Sequence, residues 1–258
     1  MNSIFIKQQG QGEPLILLHG WGFTGEVWND IAQKLAQDWR VYQVDLPGYG
    51  RSPLCTYTLP ILTEKLAADL PKNAVWIGWS LGGLLAMAMA RWRPDWVRAL
   101  VLISTSPRFV TDKNWPHAMK LNVLQQFSQL LQTHPLATLQ RFLALQVKGS
   151  ETVLQQRRTL NALLNKTALP QPEALQAGLT LLQNTDLRHE LSHIRCPALL
   201  CLGKRDTIVP AGVGKDCQQY WPNLQPVYIE RAAHVPFLSH PDIFMHSLQG
   251  FFNEVITP

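Results

Sequence analysis

Six short apolar runs recur along the chain: LILL (15 to 18), VYQVDL (41 to 46), AVWIGW (74 to 79), ALVLIS (99 to 104), ALLCLG (198 to 203) and PVYIE (226 to 230). Their nearly continuous apolar character suits strands buried on both faces of a parallel sheet. Between the early runs lie segments with helical spacing of apolar residues, VWNDIAQKLAQ (27 to 37), LTEKLAADL (62 to 70) and LGGLLAMAMARW (81 to 92). Strand, helix, strand repeated in this way predicts an α/β fold with a doubly wound, mostly parallel sheet.

The alternation stops after ALVLIST. Roughly 80 residues pass before the next strand signal, too many for a structureless loop inside a compact domain. LNVLQQFSQLLQ (121 to 132), ATLQRFLALQV (137 to 147), TVLQQRRTLNALLNK (152 to 166) and PEALQAGLTLLQN (172 to 184) carry apolar residues three and four apart, punctuated by Pro135, Gly149, Pro170 and Pro172. The expectation is a helical cap over 108 to 189, inserted after the strand at 99 to 104. Residues 1 to 107 and 190 to 258 then form the core of one domain.

Composition narrows the function classes. With 46% hydrophobic and 16% charged residues and nine tryptophans among 258 residues, the chain has the profile of a packed globular enzyme, not of a disordered or fibrous protein. The net charge is +5, but lysines and arginines are scattered without a long like-charge run, so no nucleic-acid partner is expected. No apolar stretch approaches the ~20 residues needed to cross a bilayer, and MNSIFIKQQG does not read as a secretory leader. Cys55, Cys196, Cys201 and Cys217 form neither a CxxC pair nor a zinc-type spacing, which points to reduced thiols and a cytoplasmic location.

The chemistry concentrates at Gly78-Trp79-Ser80-Leu81-Gly82. This fits G-x-S-x-G between a predicted strand and a predicted helix, the context a nucleophile elbow requires. A turn that sharp brings the positions two before and two after the serine together, and Gly78, Gly82 and Gly83 remove the side chains that would collide. The plainer reading of the same letters is a tight strand-to-helix turn with an incidental serine. A serine hydroxyl needs a base to take its proton and an acid to orient that base. In the hydrolase order Ser, Asp, His, GKRDTIVP places Asp206 just past a late strand and RAAHVPFLSHP places His234 just past the last one.

Rivals for these roles are readable. Asp45 in DLPGYGRS also ends a strand, but it precedes the serine. His117, His134, His189 and His193 lie in or near the cap, and His240 and His246 fall around a C-terminal helix. His19, before Gly20, is expected to have a structural hydrogen-bonding role. Charge on the substrate carbonyl oxygen needs backbone N–H donors, for which Leu81, after the nucleophile, and Trp21, in the HGWG turn at 19 to 22, are the candidates. Trp21, Trp79 and Phe142 are expected to line an aromatic acyl slot.

LLHGWG, DLPGYGRS, GWSLGG, GKRDTIVP and AAHVPFLSHP occur in order across nearly the whole chain, which resembles the α/β-hydrolase superfamily. More narrowly, LLHGWG with a following EVW, WIGWSLGGL, RFLALQ (141 to 146), GSET and AAHVPFLSHP resemble the pimeloyl-[acyl-carrier protein] methyl ester carboxylesterase family of biotin synthesis. That resemblance implies hydrolysis of a methyl ester on a carrier-bound pimeloyl chain, without a cofactor or metal. It implies Ser80, Asp206 and His234 as triad, Trp21 and Leu81 at the oxyanion, and Phe142, Leu143, Ala144, Leu145 and Gln146 as a cap stretch touching substrate. It further implies Arg141 and Arg158 as contacts to acidic acyl carrier protein. The chain departs from the family pattern at Ala137 and Leu154, where further cap arginines are expected, although Arg157 stands nearby.

The charge count agrees with an acidic partner. From 108 to 188 there are nine basic residues against four acids, and Arg141 and Lys148 would share one helix face if that helix ran through both. A merely solvated polar face is the alternative. A monomer is expected. The rival functions are a broad short-chain carboxylesterase or a carbon–carbon bond hydrolase with the same triad, and, from another class, a non-catalytic ligand-binding receptor of the same fold. Serine at the nucleophile position disfavours the aspartyl-ester chemistry of dehalogenases and epoxide hydrolases.

Overall fold

A computed structural model describes residues 3 to 166 and 169 to 255. Seven strands form one sheet: β1 (Ile6–Gln9), β2 (Pro14–Leu18), β3 (Arg40–Val44), β4 (Ala74–Trp79), β5 (Val97–Ile103), β6 (Ala198–Gly203) and β7 (Gln225–Ile229). Their spatial order is β1-β3-β2-β4-β5-β6-β7, and every pairing is parallel except β1 with β3. All six apolar runs are strands, within a residue or two at their ends. β1 is the strand the pattern did not announce. Its sequence, IKQQ, is mostly polar because it is an edge strand with one partner and little of it is buried.

Side-chain alternation along each strand divides the core in two. Ile16, Leu18, Trp76, Leu100, Leu102, Leu200 and Leu202 point to one face, where they pack with Leu84 and Leu85 of the helix that follows Ser80. Leu15, Leu17, Val75, Ile77, Val101, Leu199 and Cys201 point to the other, against Ile31, Phe244, Leu248 and Phe251. β4 and β6 are buried at every residue, as central parallel strands covered on both sides must be. Each fully buried Leu or Ile in such a core stabilises the fold by about 1.5–3 kcal/mol relative to exposure.

The helices are α1 (Asn29–Leu35), α2 (Leu59–Asp69), α3 (Leu81–Trp92), α4 (Leu121–Thr133), α5 (Pro135–Gln146), α6 (Val153–Lys166), α7 (Pro172–Asn184), α8 (Val213–Gln218), α9 (Pro236–Ser239) and α10 (Pro241–Val255). α3 is apolar almost all round and is buried from Leu81 to Ala90, the expected property of a helix inside the core. α4 to α7 intervene between β5 and β6. α4 is amphipathic, burying Leu124 and Leu131, seven residues apart. Pro135 and Pro172 sit at the starts of α5 and α7, where a missing N–H costs nothing.

The condition for a shared face of Arg141 and Lys148 is not met. α5 ends at Gln146 and does not run through to Lys148: the chain turns, with the Lys148 N–H bonded to the Leu145 carbonyl and Gly149 at φ +85°. Arg141 and Lys148 therefore share no helix face. The turn sends the chain back into α6, and glycine alone adopts that φ without strain.

Candidate active site

Ser80 joins β4 to α3 with φ 54° and ψ −115°, a left-handed backbone that a non-glycine residue holds at a cost of order 1–3 kcal/mol. The fold over-determines it. The Ser80 N–H donates to the Ile103 carbonyl at 2.9 Å, and Thr105 Oγ1 donates to the Ser80 carbonyl at 2.7 Å. A Cβ on Gly78 would stand 2.5 Å from the Gly82 carbonyl oxygen, and one on Gly82 would stand 2.5 Å from the Leu18 carbonyl oxygen. Only glycine lets the helix pass so close to both strands.

Asp206 and His234 come from the turns after β6 and β7 and meet at the sheet's carboxyl edge. His234 Nδ1 lies 2.7 Å from Asp206 Oδ2, and Asp206 Oδ1 accepts the N–H groups of Ile208 at 2.8 Å and Val209 at 3.0 Å. A carboxylate can only accept, so Nδ1 carries the proton and Nε2 is left as a bare acceptor. That Nε2 is buried and has no hydrogen-bond partner. The imidazole is fully enclosed and the Ser80 residue is 2% exposed. The serine hydroxyl makes no hydrogen bond to Nε2, so Asp206 and His234 are bonded to each other and Ser80 is bonded to neither.

Asp45 has other work. Its Oδ1 accepts the Gly25 N–H at 2.8 Å and its Oδ2 accepts the Arg51 N–H at 3.1 Å, with Arg51 Nε at 3.3 Å. It ties two loops together and meets no triad residue. His19 also proves structural: Nε2 accepts the Leu46 N–H at 2.9 Å and Nδ1 donates to the Gly20 carbonyl at 2.8 Å. Burial pushes its pKa down to about 4, opposed by the Gly20 carbonyl and Asp45, so the ring is neutral in its site.

The backbone N–H groups of Trp21 and Leu81 donate to no group among the described residues, leaving both available to a developing oxyanion. The Trp21 side chain is anchored instead: Nε1 donates to the Leu175 carbonyl of α7 at 2.8 Å, and Phe142 of α5 stands edge-on at 4.8 Å. Trp21 and Phe142 belong to the first core cluster. Trp79 packs with a different set of side chains. It lies in the second cluster, against Phe23 at 5.4 Å, His234 at 5.8 Å and Phe237 at 5.4 Å, because strand pleating turns it to the opposite face.

Within the cap stretch, Phe142, Leu143 and Gln146 are buried while Ala144 and Leu145 are partly exposed. Two features of this region escaped sequence reasoning. The Trp79 indole donates to the His234 carbonyl at 2.8 Å, and the Gln146 carbonyl accepts the His234 N–H at 3.0 Å. His234 is thereby held from both sides, by contacts that no local pattern encodes.

The basic excess of the cap is redistributed by pairing. Arg108 and Arg188 are taken up by Asp112 and Asp186, with N–O distances of 3.0 Å for Arg108–Asp186, 2.7 Å for Arg188–Asp186 and 3.0 Å for Arg188–Asp112. Arg141, Arg157 and Arg158 are exposed and form no ion pair or hydrogen bond among the described residues. Leu154, at 70% exposure the most exposed large apolar side chain, lies on α6 three and four residues before Arg157 and Arg158. Those four side chains are exposed on α5 and α6. No group of three or more His, Cys, Asp or Glu residues among those described is placed to hold a metal ion, and no helix among them is long and apolar enough to cross a membrane.

Comparison with known proteins agrees with this geometry. The model of the alpha/beta hydrolase family matches residues 15–246. Relatives named pimeloyl-[acyl-carrier protein] methyl ester esterase are 40% identical over 252 residues in Aeromonas hydrophila, covering 96% of this chain and 99% of the relative. Another of that name in Salmonella newport is 40% identical over 250 residues, covering 96% and 97%. Among solved structures, an esterase from Exiguobacterium antarcticum superposes with a TM-score of 0.87 at 20% identity, covering 97% of this chain and 95% of that one. A bromoperoxidase from Bacillus anthracis gives 0.87 at 22% identity, with the same coverage. With a serine elbow at the carboxyl end of β4, a carboxylate–imidazole pair after β6 and β7, and relatives that match it from end to end, the chain belongs to the alpha/beta hydrolase family.

Proposed function

We propose that this protein is a serine carboxylesterase that hydrolyses the methyl ester of a pimeloyl group on acyl carrier protein, releasing methanol and the free distal carboxylate in biotin synthesis. The observation that carries the reading is the 40% identity, over 96% of this chain, to relatives of that name. Ser80 Oγ attacks the ester carbonyl while His234 Nε2 takes its proton and passes it to the departing methanol. Asp206 holds the imidazole in the tautomer that leaves Nε2 free. The N–H groups of Trp21 and Leu81 receive the oxyanion, and the loss of one such donor costs about 3 kcal/mol of transition-state stabilisation. Water then repeats the cycle on the acyl-enzyme. The buried Nε2, left without a protein partner, is consistent with this reading, since the Ser80–His234 bond of such enzymes often tightens only once substrate is bound.

Arg141 and Arg158 meet the acidic carrier on the cap, with Arg157 beside them, and the methyl ester reaches Ser80 past Trp21 and the stretch Phe142 to Gln146. The setting is a cytoplasmic monomer with neither a nucleic-acid nor a membrane partner. The test is a turnover comparison between pimeloyl-carrier-protein methyl ester and a short p-nitrophenyl ester. The reading expects a clear preference for the carrier-bound ester. Equal or better cleavage of the short ester would leave a general esterase.

A further inference from the structure

α5 turns one face toward the triad. Leu139, Phe142 and Gln146, spaced by three and four residues, lie along it. Phe142 packs edge-on against Trp21 at 4.8 Å, and one turn later the Gln146 carbonyl accepts the His234 N–H at 3.0 Å. The Gln146 side chain is fully buried, yet neither its Oε1 nor its Nε2 has a hydrogen-bond partner. His234 Nε2, on the residue to which Gln146 is bonded, is likewise buried and unpartnered. Buried amides are ordinarily satisfied, and an unsatisfied one is costly enough to call for an explanation. A leucine or methionine would fill the same space without that cost. The unpartnered atoms on these two residues are a donor and two acceptors, the kinds of group that water satisfies.

We propose that the Gln146 carboxamide holds the water that hydrolyses the acyl-enzyme. This rests on the serine acyl-enzyme mechanism above and adds a role for its second half, beyond contact with substrate. One water O–H is accepted by Gln146 Oε1 while the other points to His234 Nε2. The water oxygen bonds to the acyl carbon as its proton moves to Nε2. The tetrahedral intermediate then collapses by breaking the bond to Ser80 Oγ, Nε2 returns the proton to that oxygen, and the carboxylic acid leaves. Acylation brings no water into the site, so it depends on the amide only through contact with substrate.

The test separates the two half-reactions. Rapid-quench mixing with a p-nitrophenyl ester reads acylation as the p-nitrophenolate burst, and intact mass reads the acyl-enzyme on Ser80. For Gln146→Met, the expected result is deacylation slowed about tenfold more than the burst, the worth of one hydrogen bond, with acyl-enzyme accumulating at steady state. Its Tm should change little, because the methionine is of similar size and needs no hydrogen-bond partner. Gln146→Ala provides the same comparison should the methionine disturb packing. Slowing of both half-reactions together, or of neither, overturns the assignment. A Ser80→Ala control that still turns over would instead overturn the serine mechanism itself, so the two failures are distinguishable.

Discussion

The indole Nε1 of Trp79 donates to the backbone carbonyl of His234 at 2.8 Å, tying the residue before Ser80 to His234 across 155 positions of sequence. Trp79→Phe keeps the aromatic packing against Phe23 and Phe237 but removes this donor and leaves a buried carbonyl unpaired. The expected loss is about 1–3 kcal/mol of stability, read from urea midpoints, with a fall in kcat larger than any change in KM because the imidazole is less firmly placed.

Asp45 and Asp206 both end strands, and their partners assign them opposite phenotypes. Asp206→Asn is expected to lower kcat by about 10³- to 10⁴-fold, since the imidazole loses the tautomer that frees Nε2, with thermal stability much less affected. Asp45→Ala abandons the N–H groups of Gly25 and Arg51 and is expected to lower stability by about 2–4 kcal/mol while the folded fraction keeps most of its activity. Paired unfolding and ester-hydrolysis assays on the two variants check this.

His19 makes stability depend on pH. Burial lowers its pKa from 6.5 to about 4 in the folded protein, so between those values the unfolded chain binds a proton that the folded one does not. Stability therefore rises with pH across this window and is lost as pH falls from 6.5 toward 4, by about 3 kcal/mol in total from this group. Urea midpoints at about pH 7.5 and about pH 4.5 should differ accordingly. His19→Gln, which retains an acceptor for the Leu46 N–H, should show a flatter profile.

How legible the molecule was differs from element to element. β4 and α3 could be read to the residue because both are buried nearly all round, so every position carries the apolar signal. β1 could not, because a half-buried edge strand such as IKQQ needs no such signal. The Asp206–His234 pair was reachable from strand ends and chain order. The two bonds that hold His234 by its backbone, from Trp79 and to Gln146, were not, since any residue type at 234 offers the same N–H and carbonyl. The neighbours of Trp79 were not legible either, since its packing with Phe23, Phe237 and His234 depends on which face strand pleating gives it. The break after α5 was legible within a residue, because Gly149 marks the turn, where it adopts positive φ.

On the cap, Arg141 and Arg158 are expected to act on the carrier more than on the ester. Arg141→Glu and Arg158→Glu should each lower kcat/KM for the carrier-bound ester about tenfold more than for a simple p-nitrophenyl ester. The excess loss should shrink as salt is raised, since exposed charges are screened. Leu154→Arg, adding a fourth cation beside Arg157 and Arg158, should lower KM for the carrier-bound ester. Steady-state kinetics over a salt series reads both effects.

The most direct test is to incubate the protein with pimeloyl-carrier-protein methyl ester and follow the intact mass of the carrier. Loss of the methyl group with the native chain, and none with Ser80→Ala, is the predicted result. A carrier that keeps its methyl ester while simple esters are cleaved briskly would contradict the assigned substrate, and demethylation by Ser80→Ala would contradict the assigned nucleophile.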